Sequence, residues 1–207
     1  KQDKELKKQA EQIIEWCKNG LELVKFPKHS DITNIGTPLN TANSEYVPVI
    51  SSDESVMLFT YKGELSTGGL QFIPGKPDSI YGEYYEDIFI TSKDSSNNWI
   101  KPVPIGNNIN TDEHDACISV SNDGQKLFIF KNIPGDVGAI FMSELNGKDW
   151  SDPVQLRGDV NSDYWEGSIS LSADEHVIYF SSERLGGYGG KDIYRAELMP
   201  DGSWGNV

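Results

Sequence analysis

The N-terminal segment carries an apolar stripe with the period of an α-helix. Its apolar side chains recur three or four positions apart, at Leu6, Ala10, Ile13, Ile14 and Cys17. This spacing predicts one amphipathic helix over residues 3–19, and the pair Asn19-Gly20 is typical of a helix end. We therefore expect residues 1–20 to form a helical segment and a different architecture to begin at residue 21.

From residue 21 onward, short runs of alternating apolar and polar residues replace the helical period, and these runs repeat. Three related openings mark the repeats: IGTPLNT (35–41), IGNNINT (105–111) and LRGDVNS (156–162). In each repeat an Asp follows the Asn of the opening by thirteen residues, at Asp53, Asp123 and Asp174. Equal spacing in three segments indicates that they are copies of one structural unit.

Each unit holds four strand signals. An apolar strand follows the turn Asp, a third strand is marked by an Ile, and a Trp stands ten or eleven residues after that Ile, at Trp99, Trp150 and Trp204. Four strands in roughly 50 residues are typical of a propeller blade. We predict an all-β protein, a β-propeller of three four-stranded antiparallel blades, preceded by one α-helix. A β-sandwich made from the same strands is the alternative, and the repeated landmarks disfavour it.

The units are expected at about residues 37–104, 105–155 and 156–207 of a propeller region spanning 21–207. The first unit is longer because of a Gly/Pro-rich insertion around residues 63–84. Closed propellers have about four to eight blades, so three blades predict an incomplete ring. Within residues 24–36, positions 32–36 look like the last strand of a blade, and we predict that this segment is a closing strand.

Composition narrows the possible partners and cofactors. A net charge of −14 disfavours nucleic acid and anionic membrane surfaces, and no apolar run of eighteen residues is present for direct membrane insertion. The two cysteines, Cys17 and Cys117, lie far apart and are predicted to be free, buried thiols. His114 stands among three acidic residues in one loop, which cannot all face one ion. No metal or cofactor is therefore expected.

One set of acidic residues repeats with the units. A carboxylate stands eight residues before each turn Asp, at Glu45, Asp115 and Glu166. Each begins the first strand of its unit, which in a propeller is the innermost strand and lines the central channel. Together they could bind a cation or a cationic ligand. Alternatively, each accepts hydrogen bonds from neighbouring backbone or from Arg184 and fixes the geometry of the blade.

A second set of candidates consists of aromatic and charged residues in loops that open on one propeller face. These are Tyr84, Tyr85, His114, Tyr164, Trp165, Arg184 and Tyr188. Tyr81, at the end of the insertion, would join them. Exposed aromatic residues clustered on loops predict a recognition surface for a protein or a glycan.

The repeat segments also resemble a known family. ISSDES (50–55), SNDGQKLF (121–128) and IYFSSERLGGYGGKDIY (178–194) resemble the WD-like, TolB-type propeller repeats of multidomain cell-envelope proteins from Bacteroidetes. The helix end IEWCKNG (14–20) is similar to the last helix of a tetratricopeptide array. In that family an OmpA-like peptidoglycan-binding domain usually closes the chain. The resemblance implies a periplasmic, outer-membrane-associated protein of which this chain is one part.

The predicted function is that of a non-catalytic binding or scaffolding propeller, with envelope proteins or cell-wall glycan as partners. The three histidines are not accompanied by a Gly-x-Ser-x-Gly elbow, which disfavours a serine hydrolase. Two alternatives remain open: a carbohydrate-active propeller and a regulatory propeller of a peptidase. An inward-facing pair of carboxylates at glycosidase separation would favour the first alternative.

Overall fold

The computed structural model describes residues 2–67, 83–132 and 137–207. The chain divides into two compact units, Lys1–Ile35 and Gly36–Val207. The insertion of the first repeat lies mostly outside the described residues, since 68–82 are not described, and Tyr81 lies there too.

The N-terminal compact unit, Lys1–Ile35, contains one α-helix, α1 (Gln2–Leu23), which is longer than the sequence predicts. The predicted end at Asn19-Gly20 is wrong because Gly20 does not take the left-handed conformation that ends helices, and its carbonyl accepts a hydrogen bond from the Val24 amide (3.0 Å). Cys17 is a free thiol but an exposed one, which corrects the prediction that both cysteines are buried. Within the described residues, no helix is long and apolar enough to cross a membrane.

The segment that follows α1 does not form the expected strand. Residues 27–36 carry no helix or strand, and β-pairing begins only at Ser44. Ile32 is 92 % exposed, so its side chain contributes nothing to a core. Residues 24–36 do not form a strand in this structure, and closure of a ring by this segment stays a prediction.

The second compact unit, Gly36–Val207, contains three separate antiparallel sheets, which we call blades 1, 2 and 3. Blade 1 consists of β1 (Ser44–Ile50), β2 (Val56–Lys62), β3 (Glu86–Ser92) and β4 (Val103–Pro104). Blade 2 consists of β5 (Asp115–Val120), β6 (Lys126–Lys131), β7 (Ala139–Asn146), β8 (Asp149–Trp150) and β9 (Val154–Gln155). Blade 3 consists of β10 (Glu166–Leu171), β11 (Val177–Ser182), β12 (Asp192–Leu198) and β13 (Trp204–Gly205).

Strand pairing within the blades agrees with the predicted fold class. Consecutive strands pair in antiparallel ladders, and β2 lies beside β3 with Phe59 opposite Phe89. Blade 2 departs slightly from four strands, because its fourth strand is divided into β8 and β9, both paired with β7. One isolated parallel bridge joins Gly158 to Trp204. Among the described residues, every ladder between named strands is antiparallel.

The repeated Asp marks a turn with one geometry in all three blades. A Ser two residues earlier donates its hydroxyl to the Asp, at 2.6 Å for Ser51, 2.6 Å for Ser121 and 2.5 Å for Ser172. The residue after the Asp has a positive φ in each turn: 56° at Glu54, 71° at Gly124 and 57° at Glu175. Two of the three turns therefore place a side chain where glycine is the least strained residue.

Apolar side chains pack between the blades. Leu58 and Ile88 of blade 1 share a core with Ile129 and Trp150 of blade 2. Phe128 and Ile140 of blade 2 share another with Val160, Ile178, Phe180 and Trp204 of blade 3. We call these contacts junction 1/2 and junction 2/3. Ile193 of blade 3, in the strand that corresponds to β3 and β7, is 82 % exposed.

The Asn residues that open the second and third repeats, Asn110 and Asn161, join neighbouring blades. The Asn110 amide accepts from the Ile88 amide (2.9 Å) and donates to the Ile88 carbonyl (3.0 Å) in the third strand of blade 1. Asn161 makes the same pair of bonds to Ile140 of blade 2, at 2.8 and 3.0 Å. A side-chain amide thus satisfies both backbone groups of one residue in the preceding blade.

Antiparallel connectivity sorts the loops into two ends. The turns between the first and second strands, which hold Asp53, Asp123 and Asp174, lie at what we call the turn end. The links between blades and the loops between second and third strands lie at the opposite end, which we call the connection end. The sequence-derived site candidates all lie at the connection end.

Candidate binding surface at the connection end

The three repeated carboxylates hold the start of each blade together. Each accepts a hydrogen bond from a hydroxyl and from the backbone amide of the residue four positions earlier. The hydroxyl distances are 2.5 Å for Thr41 to Glu45, 2.8 Å for Thr111 to Asp115 and 2.6 Å for Ser162 to Glu166. These bonds match the structural role proposed for the acidic residues.

The remaining partners of these carboxylates differ from blade to blade. Glu166 is fully buried and also accepts from the Ser182 hydroxyl (2.7 Å) and from the Arg184 guanidinium (3.2 Å). Asp115 is fully buried and forms an ion pair with Lys131. Within the part of the chain that the structure describes, no three His, Cys, Asp or Glu residues are grouped as metal ligands. Cation binding by Glu45, Asp115 and Glu166 stays a prediction.

Arg184 is engaged by blade 3. Its guanidinium donates to the carbonyls of Asp159 (3.0 Å) and Val160 (2.6 Å) and lies 5.0 Å from the centre of the Phe180 ring. These bonds tie the link that precedes blade 3 to the buried Glu166. Arg184 is therefore a structural cation at this surface, and a ligand would meet it only at its edge.

His114 and Tyr85, both predicted site residues, lie together at junction 1/2. Their rings stack with centres 3.9 Å apart, and His114 Nδ1 contacts the Glu86 carboxylate. Glu86 also accepts from the Tyr46 hydroxyl (2.9 Å) and lies 3.4 Å from Lys62 Nζ. Sequence reasoning did not find Glu86, because the strand that carries it and the loop that carries His114 belong to different repeats.

The ionisation of this cluster follows from its contacts. Burial alone would raise the pKa of Glu86, but the hydrogen bond and charge of His114, the Tyr46 hydroxyl and the Lys62 charge together lower it to about 2. Burial first, and then the charge of Glu86, raises the pKa of Tyr46 above its ordinary value. Glu86 is accordingly an anion that Tyr46 and Lys62 hold in place, and it fixes the Nδ1 side of the His114 ring.

Asp87, next to Glu86, is a buried acid that the sequence did not single out. Its Oδ2 accepts from the amide and hydroxyl of Thr67, both at 2.8 Å, while its buried Oδ1 has no hydrogen-bond partner among the described residues. Burial, together with the charge of Asp115, raises the pKa of Asp87 to about 6 against the lowering effect of the Thr67 hydrogen bonds. The repeat places Ala139 at the equivalent position of blade 2.

Aromatic and cationic side chains of blade 3 form the other part of this surface. Lys191 Nζ lies 3.4 Å from the centre of the Trp165 ring. Tyr188 is fully exposed, and Tyr164 is partly exposed. We call Tyr164, Trp165, Tyr188 and Lys191 the blade 3 patch. Tyr84, the remaining predicted residue, is half-buried beside the undescribed insertion.

Comparisons with known proteins bear on the fold. No protein-family model matches the sequence, and no curated protein matches it either. The structure is similar to TolB from Acinetobacter baumannii, at 16 % identity and a TM-score of 0.43, over 72 % of this chain and 29 % of TolB. It is also similar to the periplasmic gluconolactonase of Pseudomonas aeruginosa, at 16 % identity and a TM-score of 0.48, over 80 % of this chain and 43 % of that protein.

The second unit is built from β-propeller blades. Its three repeated antiparallel sheets and their shared junction contacts establish this architecture, as the sequence predicts. The chain spans less than half the length of either similar protein. A fold of this kind serves many unrelated activities, so the function has to be argued from the surface.

Proposed function

We propose that this chain is a non-catalytic binding propeller of the bacterial cell envelope, and that the connection end is its working surface. The carrying observation is the blade 3 patch, where a fully exposed Tyr188 lies in the same loop as the Lys191 ammonium that covers Trp165. Exposed aromatic rings beside a cation suit the apolar face of a sugar or the side chains of a protein partner. The periplasmic location rests on the sequence resemblance.

The nature of the three repeated carboxylates supports a binding role over a hydrolytic one. Glycosidases need one carboxylic acid and one free carboxylate across the scissile bond. Here Asp115 and Glu166 are fully buried, and their oxygens are occupied by hydroxyls, amides and cationic side chains. Side chains so engaged stabilise the blades and leave recognition to the loops around them.

The test is co-sedimentation with purified peptidoglycan sacculi and with envelope membranes from a Bacteroidetes species. We expect the double variant Tyr188→Ala/Lys191→Ala to lose at least fivefold in bound fraction. Tyr179→Ala is the matched control, because Tyr179 is also an exposed tyrosine of blade 3 but lies within β11. Digesting the sacculi with a muramidase distinguishes glycan from protein as the partner. Equal binding by the double variant and the wild type would defeat the proposal.

One geometric feature favours a second candidate function. Glu86 holds Nδ1 of His114, which is how many enzymes orient a histidine that acts through Nε2. A screen of peptidase, esterase and glycosidase substrates tests this candidate, with His114→Gln and Glu86→Gln as variants. Turnover that either substitution abolishes would contradict the non-catalytic proposal.

A further inference from the structure

A cavity of about 490 Å³ opens at the turn end of junction 1/2, at the opposite end of the blades from the surface described above. Its floor is made of apolar side chains from both blades: Val56, Leu58, Ile90, Val120, Leu145 and Trp150. Leu58 and Trp150 belong to the core of the junction. A cavity of this size with an apolar floor has the dimensions of a small-molecule site.

The cavity lies where junction 1/2 lacks the side chains that fill the turn end of junction 2/3. At junction 2/3, Glu175 reaches back to blade 2, where it accepts from the Asn122 amide (3.1 Å) and pairs with Lys126 (2.9 Å). The equivalent position at junction 1/2 is Gly124, and a Cβ placed there would meet no heavy atom within 4 Å. Lys126 is likewise replaced by Val56. The side chains that close one junction are therefore absent from the other.

The rim of the cavity carries two carboxylates. Asp53 and Asp123 both line it, and so does Lys148. Hydrogen bonds from the Ser51 and Ser55 hydroxyls lower the pKa of Asp53 to about 2, and the Ser121 hydroxyl and the Gln125 amide lower that of Asp123. No ion pair with either carboxylate is found among the described residues. The rim is therefore anionic, within a chain of net charge −14.

We propose that this cavity binds an organic amine, with the apolar body of the ligand on the floor and its ammonium group beside Asp53 and Asp123. The floor supplies the burial of apolar surface, and the rim selects the charge of the ligand. The two carboxylates disfavour an anionic ligand of the same shape. This site is independent of the proposed envelope-binding surface.

Isothermal titration calorimetry with three naphthyl compounds tests the proposal. The probes are 2-(1-naphthyl)ethylamine, 2-(1-naphthyl)ethanol and 1-naphthylacetate, which share one ring system and differ in charge. We expect the amine to bind about tenfold more tightly than the alcohol, because its ammonium group is attracted by two solvent-exposed carboxylates, and we expect the acid to bind weakest. Equal affinities, or no heat from the amine at 10 mM, would overturn the proposal.

Two pairs of variants locate the binding. The double variant Asp53→Asn/Asp123→Asn keeps the turn hydrogen bonds and should remove the preference for the amine over the alcohol. Asp174→Asn makes the same change in the third turn, which does not line the cavity, and should leave the preference intact. Val120→Phe should fill the floor and weaken all three probes, whereas Leu171→Phe, its repeat equivalent in blade 3, should not. An unchanged preference in the double Asn variant would place the amine elsewhere.

Discussion

Junctions 1/2 and 2/3 are built from the same repeat and share one contact, the pair of hydrogen bonds from the opening Asn to an Ile backbone, which we call the Asn hook. They nevertheless differ at both ends. At the turn end of junction 2/3, Glu175 bonds to Asn122 and Lys126 of blade 2, a contact that we call the clasp. At junction 1/2 the equivalent residue is Gly124, and a cavity lies there. At the connection end, Ala139 of blade 2 is a buried apolar residue, while its counterpart Asp87 is a buried acid whose Oδ1 has no hydrogen-bond partner among the described residues. Junction 2/3 thus follows what packing and pairing favour, and junction 1/2 departs from it at two positions. Such departures are expected where a scaffold carries function.

The Asn hook common to both junctions should have the largest effect on stability. Asn110→Ala leaves the amide of the fully buried Ile88 without its partner and removes one of the two donors to the Ile88 carbonyl, which keeps the Ile105 amide, so we expect a loss of about 2 kcal/mol in the free energy of unfolding by urea. Asn161→Ala should lose less, because Asn161 is less buried. Asn107→Ala, an exposed neighbour, is the control and should change stability by less than about 0.5 kcal/mol. Equal losses at all three positions would refute the hook.

Asp87 should make stability depend on pH. A folded pKa of about 6, above the ordinary value of 3.8, means that the folded state holds a proton more tightly than the unfolded state. The wild type should therefore lose stability as the pH rises from about 4 to about 6. Asp87→Asn should remove this fall and gain about 2 kcal/mol at pH 7, with little change at pH 4. Urea unfolding at both pH values measures it, and a variant less stable at pH 7 would contradict the assignment.

A matched pair of variants, Glu175→Ala and Glu54→Ala, separates the stability that the clasp adds from the effect of backbone strain in the turn. Glu175→Ala and Glu54→Ala change the same turn position, with φ of 57° and 56°, so their backbone effects should cancel. Glu175→Ala also loses the bonds to Asn122 and Lys126 and should be about 1 kcal/mol more destabilising. Thermal unfolding of both variants gives the difference. A difference near zero would mean that the clasp adds no stability.

Grafting the clasp onto junction 1/2 should give the smallest effect. Val56→Lys and Gly124→Glu together recreate the Lys126 and Glu175 pair. Gly124→Glu alone should destabilise because φ at position 124 is 71°, and Val56→Lys alone because Val56 packs against the core of junction 1/2. A double-mutant cycle should show a favourable coupling of about 0.5 kcal/mol. The same double variant should also obstruct amine binding in the cavity. Additive single effects would mean that the two positions do not meet.

The sequence predicts well what the repeat itself encodes. The equal Asn-to-Asp spacing correctly gives the strand order and the turns, because each depends on residues within one unit. The structural interpretation of Glu45, Asp115 and Glu166 was also accessible, since Thr41, Thr111 and Ser162 stand four residues before them. Cys17 was misjudged because an apolar stripe shows which residues share a face but not whether that face is covered.

Contacts between units escaped prediction. Glu86 and His114 are brought together by blade packing, which no spacing within one repeat reports. A usable signal existed for the cavity, since alignment of the turns places Gly124 opposite Glu54 and Glu175. The cavity is indicated by the residue that departs from the repeat and not by the residues that follow it. Asp87 against Ala139 is a second example of the same kind.

The Asn hook also bears on how such a chain grows over evolutionary time. Each unit brings its own amide at its start and offers its own Ile backbone in its third strand, as Asn110 and Ile88 show. A duplicated gene segment of one unit therefore encodes both halves of the next joint, and a new copy needs no compensating substitution in its neighbours. Ile193 stands at the same position of blade 3 and is 82 % exposed. Blade number can then change by recombination alone, while single-residue drift, as at Gly124, diversifies the spaces between blades.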